Sequence, residues 1–291
     1  MRILLTGVTG QVGWELQRTL MTVGEVIPVS RRQIDLAQPD TIRHIIREVR
    51  PDLIVNPAAY TAVDQAEIEP DLAMAINGIA PGIMAEEAKR LGAAIIHYST
   101  DYVFDGTKST PYTEADQPNP QNIYGKTKLA GEQAIASVGV DYLIFRTSWI
   151  YGLRGKNFLL TMQRLAKERE EIKVVDDQIG APTWSRMIAE ATAQIVSQSL
   201  PNVADFFVDK GGLYHLSASG KTSWYGFCQE ILKYDTQPSQ RQLQRLIPIT
   251  SQEYPTTASR PGYSVLDNQK LSHKFRMVIP EWHQVLELVL R

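Results

Sequence analysis

Cysteine is almost absent from this sequence: Cys228 is the single one in 291 residues. No disulfide can form within the chain, so nothing in it asks for an oxidising compartment. Histidine is nearly as scarce. The five present show no HxxxH or similar spacing of the kind a zinc site uses. Neither sign of charge dominates. Lys and Arg number 30 against 32 for Asp and Glu, and the net charge of -2 gives no bulk electrostatic case for nucleic acid or an anionic membrane. No run approaches the ~18 consecutive apolar residues of a membrane span. The opening "MRILLTGVTG" lacks the extended apolar region and cleavage site of a secretory leader. The expected location is the cytoplasm. Repeats and low-complexity segments are absent as well.

What is present is an ordinary globular composition, 43% hydrophobic and 21% charged, in a chain long enough to bury a full core without metal or disulfide. Short apolar runs alternate with amphipathic segments through the first half. Strands are expected at 2–7, 25–30, 52–59, 93–100 and 141–150, with helices at 11–23, 40–50, 80–92 and 121–138. Pro28 is a mild objection to the second strand. Continuous rather than alternating apolar strands imply burial on both faces. The pattern predicts an α/β fold, a Rossmann-type doubly wound parallel sheet, with ligands at the C-terminal strand edge. After residue 150 the rhythm loosens. Residues 1–150, with roughly 184–217 returning to the sheet, read as the dinucleotide-binding domain. Roughly 151–183 and 218–291 read as a smaller mixed substrate-binding lobe.

"GVTGQVG" places Gly7, Gly10 and Gly13 between the first strand and the first helix. Glycines allow close backbone approach, and amides at a helix N-terminus suit a pyrophosphate. At the end of the second strand, where an NAD-binding fold often carries an acid, the chain has Ser30, Arg31 and Arg32. A hydroxyl and a guanidinium fit the extra phosphate of NADPH, with NADH the other possibility. Asp35 either approaches the adenine or caps a turn.

Tyr124 and Lys128 are four apart, which puts them on one face of the fourth expected helix. An ammonium beside a phenol favours phenolate, as a general acid/base for carbonyl–alcohol chemistry requires. Thr100, closing "HYST", could hydrogen-bond the same substrate oxygen. In this order, glycine turn, strand-end hydroxyl and YxxxK resemble the extended short-chain dehydrogenase/reductases. "NPAAYTAVD" (56–64) is similar to that superfamily's third-strand motif. "GQVGWELQ", "HYSTDYVFDG", "YGKTKLAGE", "FRTSWIYG", "DDQIGAPT" and "GLYHLSASG" resemble the dTDP-4-dehydrorhamnose reductase family more closely, through nearly the whole chain. The match is weakest over 221–291, apart from "SRPGYSVLD".

The resemblance implies NADPH-dependent reduction of the 4-keto group of dTDP-4-dehydro-6-deoxy-L-mannose to dTDP-L-rhamnose. It implies Tyr124 as proton donor, Lys128 as the residue that holds the nicotinamide ribose and tunes Tyr124, and Thr100 as the carbonyl's partner. Gln11, Val12, Leu36, Ala58, Ala59, Thr61 and Tyr98 would join the glycines, Ser30, Arg31 and Asp35 around the cofactor. Val63, Asp101, Tyr102, Trp149 and Arg260 would line the sugar-nucleotide site. The expected assembly is a monomer or a homodimer.

The family pattern breaks at one place. Some members bind magnesium at a dimer contact through a glutamate of the first helix and acids in the helix after "GAPT". Here Glu15 matches the first, but Arg186 occupies the early position of the second, with Glu190 a turn later. A cation would repel Mg²⁺, so no metal site is expected. His97, Trp14, Trp184 and Trp224 read as packing residues, and Asp176 and Asp177 as loop residues. Two other functions fit the same motifs. One is an epimerase or dehydratase of the extended branch that recycles tightly held NAD. The other is a non-catalytic, reductase-like regulatory subunit.

Overall fold

A computed structural model describes residues 1–200, 202–234 and 238–291. Pro201 and residues 235–237, inside the expected stretches 184–217 and 218–291, lie outside the described residues. In the first half, β1 (Arg2–Leu5), α1 (Gln11–Thr19), β2 (Glu25–Pro28), α2 (Pro39–Val49) and β3 (Leu53–Asn56) come in strict alternation. Then follow α3 (Val63–Ala66), α4 (Pro70–Met74), α5 (Ala80–Leu91), β4 (Ala94–Thr100), α6 (Ile123–Val138) and β5 (Tyr142–Thr147). The second half is more broken: β6 (Ile150–Tyr151), α7 (Phe158–Glu168), β7 (Glu171–Val175), β8 (Ile179–Gly180), β9 (Thr183–Trp184), α8 (Ser185–Ser199), α9 (Val203–Lys210) and β10 (Gly212–His215). It closes with β11 (Thr222–Ser223), α10 (Trp224–Lys233), β12 (Arg245–Ile249), α11 (Gln269–Phe275) and α12 (Trp282–Leu290).

Six strands form one parallel sheet in the order β10-β5-β4-β3-β1-β2. Successive side chains leave a strand on opposite faces, and here both faces are covered. Ile3, Leu5, Leu53, Val55, Ala94 and Ile96 join the core beneath α1 and α8, while Leu4, Ile54 and Ile95 join the one beneath α2 and α5. That is why these strands read as unbroken apolar runs. Pro28 fits because β2 is an edge strand, where a missing N–H costs no ladder bond.

Several boundaries differ from the sequence reading, and two of them have a clear local cause. The helix expected from residue 80 begins at Pro70 and passes through a π turn, Ala75–Ile79, into α5. Pro81 has no N–H for the carbonyl four residues earlier, and a wider turn accommodates it. The strand expected over 141–150 ends at Thr147, because Trp149 adopts a left-handed backbone (φ 45°) that no strand continues through.

The sheet order reverses direction beside β1: the chain steps out to β2, then crosses back to β3 on the other side. A crevice opens outside the strand ends at such a switch point. β7 and β12 pair with each other, as do β8 with β11 and β6 with β9, in small sheets of the second half. No helix among the described residues is long and apolar enough to cross a membrane.

Candidate active site

A cavity of about 860 Å³ occupies the crevice. At one end lies the glycine turn. Gly7 adopts φ +59°, and a Cβ on it would come within 2.8 Å of the Ala58 backbone nitrogen. A Cβ on Gly13 would stand 2.1 Å from the Gly7 carbonyl oxygen, so the turn closes only with glycine at both places. α1 starts at Gly10 with no side-chain cap and no acid in its first turn. Its first amides, which lack intrahelical acceptors by geometry, open onto the cavity with the positive end of the helix dipole.

The second strand delivers Ser30 and Arg31 to the cavity wall; Arg32 does not reach it. Both the Ser30 amide and its hydroxyl donate to Gln33 Oε1 at 2.9 Å, which fixes the turn. Asp35 does cap a turn, accepting from the Ala37 amide at 3.1 Å, and it lines the wall beside Leu36. Ala58, Ala59 and Thr61 arrive on the loop after β3, and Val63 at the first residue of α3. Asn77, in the π turn, holds that loop. It accepts from the Tyr60 amide at 2.8 Å, donates to the Tyr60 carbonyl at 3.0 Å, and reaches Thr127 Oγ1 at 3.2 Å.

Thr100, Asp101 and Tyr102 stand at the end of β4, and Tyr124 faces them from the first turn of α6. That turn is set by Asn122, which accepts from the Gly125 amide at 2.7 Å and donates to the Ser259 carbonyl at 2.7 Å. The Thr100 hydroxyl donates to Asp101 Oδ1 at 3.0 Å. The Tyr102 and Tyr124 rings meet edge-on, 5.6 Å apart. Burial pushes the Asp101 carboxyl up to about 6, restrained by the hydroxyls of Ser264, Thr100 and Ser148. Burial likewise raises the Tyr124 phenol, with the hydrogen bond to Thr100 opposing it and the charge of Asp101 adding to it.

Two expected residues stand behind the wall. Tyr98 points into the sheet core, its hydroxyl 2.7 Å from Thr192 Oγ1. Lys128 is buried, donates to the Tyr98 carbonyl at 2.6 Å and lies 3.1 Å from His97 Nε2. Burial lowers this lysine to about 8. The expectation that its charge pulls the Tyr124 phenol down is therefore corrected. The ammonium is directed at strand β4, and burial governs the phenol. His97 is a core residue as expected, held neutral by burial and the neighbouring lysine.

Trp149, just after β5, meets Trp224 and Arg260 from the second half on the wall. The Trp149 ring stacks on Trp224 at 3.6 Å and 5°. Gly180 leaves room for it; a Cβ there would lie 2.4 Å from the indole. Trp224 thus belongs to the cavity wall rather than to packing alone. Only a fold that joins residues 75 positions apart could reveal that pairing. Arg260 donates to Asp64 Oδ2 at 2.7 Å. The sequence reading also missed Ser148 and the Arg154–Asn157 stretch on the wall. The run "GLRGKN", two glycines with two cations, was the available signal.

Away from the cavity, Asp176 accepts from Ser223 and Asp177 from Ser251, both in loops. Arg186 pairs with Glu190 at 2.8 Å, and the charge of Glu15 adds to the hold on the guanidinium. Among the described residues no cluster of three or more His, Cys, Asp or Glu side chains is placed to hold a metal ion.

A doubly wound sheet with a glycine turn at its switch point, and a strand-end threonine facing a YxxxK helix, define the extended short-chain dehydrogenase/reductase class. Comparison with known proteins narrows this. The family model described as RmlD substrate binding domain matches residues 1–291. The dTDP-4-dehydrorhamnose reductase of Burkholderia thailandensis is 48% identical over 295 residues, covering 100% of this chain and 98% of that one. That of Escherichia coli K12 is 45% identical, covering 97% and 94%. The crystal structure of the Bacillus anthracis reductase in complex with NADP superposes with a TM-score of 0.89 at 37% identity, covering 99% and 98%. A Thermus thermophilus UDP-glucose 4-epimerase, 17% identical at a TM-score of 0.80, shares the fold. The chain belongs to the dTDP-4-dehydrorhamnose reductase family.

Proposed function

We propose that this chain reduces the 4-keto group of dTDP-4-dehydro-6-deoxy-L-mannose to the hydroxyl of dTDP-L-rhamnose, with NADPH as reductant. The observation that carries the reading is the meeting of Tyr124 and Thr100 with the glycine turn in one cavity. The glycine turn suits a dinucleotide: side-chain volume is excluded at Gly7 and Gly13, and uncapped amides face the space that remains. Ser30 and Arg31 on the wall favour the cofactor with the additional phosphate. Bound NADPH supplies the hydride to the carbonyl carbon.

The remaining steps fall to side chains. As the carbon gains hydride, its oxygen gains negative charge. Tyr124, kept protonated by burial, gives its phenolic proton to that oxygen, and the product is the neutral alcohol. Thr100, its one hydroxyl proton given to Asp101, keeps a lone pair for the phenol and holds Tyr124 towards the carbonyl oxygen. Asp101 accepts from the Thr100 hydroxyl and fixes its direction. Lys128 anchors the end of β4 that carries this pair. We assign residues 1–150 with 184–217 to the dinucleotide, which the pairing of β10 with β5 supports. Residues 151–183 and 218–291 are assigned to the sugar nucleotide, which the Trp224 and Arg260 side chains on the shared wall support.

The test is loss of NADPH absorbance with freshly generated dTDP-4-dehydro-6-deoxy-L-mannose, NADH being run in parallel. Turnover with dTDP-L-rhamnose as product establishes the reaction. Cofactor binding without turnover would transfer the assignment to another nucleotide sugar or to a regulatory role.

A further inference from the structure

Trp14 projects from the first turn and a half of α1, beside the glycine turn, and carries two guanidinium groups on its ring. Arg18, one turn along the same helix, lies with Cζ 3.7 Å from the ring centroid. Arg154, from the loop after β6, lies at 3.3 Å. The two are not equivalent. Arg18 donates to the Trp14 carbonyl at 2.7 Å and is tied to its own helix. The Arg154 guanidinium makes no hydrogen bond or ion pair to the described residues, and it lines the cavity.

The loop that carries Arg154 is pinned to the start of α1. Asn157 Nδ2 donates to Gln11 Oε1 at 2.8 Å, to the Gly152 carbonyl at 2.8 Å and to the Arg154 carbonyl at 3.2 Å. Asn157 Oδ1 accepts from the Leu160 amide at 3.0 Å and caps α7. One side chain therefore fixes the loop to both helices. Stacking against Trp14 uses the face of the guanidinium and leaves its in-plane N–H edge free. That edge is the part of arginine that pairs bidentately with phosphate oxygens.

The cavity also needs such a group. The glycine turn offers amides and a helix dipole, but a pyrophosphate carries two charges. Of the other guanidiniums on the wall, Arg31 stands on the turn after β2, and Arg260 is paired with Asp64. Lys156 is exposed and has no ring to orient it.

We propose that Arg154, oriented by the face of Trp14, is a cofactor-binding residue that pairs with the pyrophosphate of the nicotinamide dinucleotide. This rests on the dinucleotide reading above. It separates two tasks: Arg154 binds what NADPH and NADH share, and Arg31 binds what distinguishes them.

The experiment is isothermal titration calorimetry on the full chain with NADPH, NADH and adenosine 2′-monophosphate, which has no pyrophosphate. Arg154→Ala should weaken NADPH and NADH by the same factor, about tenfold or more for a lost charge-assisted pair. Affinity for adenosine 2′-monophosphate should not change. Arg154→Lys should recover part of the loss, since charge returns without the fork, and it carries the test if the alanine variant misfolds. Trp14→Leu, which keeps the charge and removes its support, should weaken both dinucleotides by less. Unchanged affinity in Arg154→Ala would overturn the proposal. So would a loss confined to NADPH, which would put the guanidinium on the 2′-phosphate. Failure of the wild-type chain to bind either dinucleotide would instead overturn the reading beneath it.

Discussion

At the scale of single residues, the proposed mechanism puts proton donation on Tyr124 and cofactor choice on Arg31, and each can be removed alone. Tyr124→Phe deletes one oxygen from a buried ring. Turnover should fall by roughly two to four orders of magnitude, the usual contribution of a positioned acid, while NADPH binding stays close to wild type. Steady-state rates and calorimetry check the two halves, and near-normal turnover would remove the acid role. Arg31→Ala should raise the NADPH dissociation constant by about tenfold and leave NADH nearly unaffected, since only the former has the 2′-phosphate. Equal effects on both would remove the phosphate contact. Tyr124 and Thr100 were legible in the sequence because spacing and strand-end position survive without coordinates. The source of the phenol's acidity was not. The i, i+4 relation to Lys128 suggests a lowered phenol, yet Lys128 bonds the Tyr98 carbonyl and burial raises the phenol instead. Helical spacing fixes which face a side chain leaves from, not where its last atom ends.

At the scale of elements, the cavity depends on how closely α6 approaches the π turn before α5. Gly131, midway along α6, leaves no room for a side chain; a Cβ would stand 2.2 Å from the Asn77 carbonyl oxygen. The Asn77 side chain in turn holds the Tyr60 backbone, which precedes Thr61 on the cavity wall. Gly131→Ala would improve helix propensity by about 1 kcal/mol in isolation. The steric conflict is with backbone, which cannot swing away, so the expected net effect is a loss of about 1–3 kcal/mol. Urea unfolding measures it, and a stabilised variant would show that the two segments can separate freely. Weaker cofactor binding should accompany the loss, because the π turn positions the loop after β3. This contact was hidden from the sequence. "YGKTKLAGE" shows a glycine in a helix, but a close approach between residues 77 and 131 exists only after folding. Pro28 is a milder case: it read as an objection to its strand, and the objection falls because the sheet order puts that strand at an edge.

At the scale of the whole molecule, the alternation of strands and helices was legible because both faces of the sheet are covered, and each apolar run therefore had to be continuous. The second half was less so. Its small sheets pair strands as short as two residues, and its contributions to the wall, Trp224 and Arg260, depend on long-range packing. Global stability should nonetheless register one site residue. Lys128 titrates at about 8 when folded, against 10.5 for the free side chain, chiefly through burial. Between those two values the unfolded chain holds a proton that the folded chain has released. The unfolded state then binds more protons, so this lysine makes stability rise with pH. Below about 8 both states are protonated, and the burial penalty is carried in full. Cys228 acts in the opposite sense, since burial lifts its thiol from 9.0 to about 12 and the folded chain retains a proton that the unfolded chain loses. Wild type alone would therefore show a blunted pH dependence. Lys128→Met keeps the bulk of the side chain and removes its titration, leaving Cys228 common to both proteins. The stability of wild type relative to Lys128→Met should increase by about 2 kcal/mol between about pH 7 and about pH 9.5, measured by urea unfolding at each pH. A difference that stays constant would mean that Lys128 keeps its ordinary affinity for the proton. The ammonium would then be solvated or paired in the folded chain, and the buried anchor beneath Thr100 would have to be abandoned.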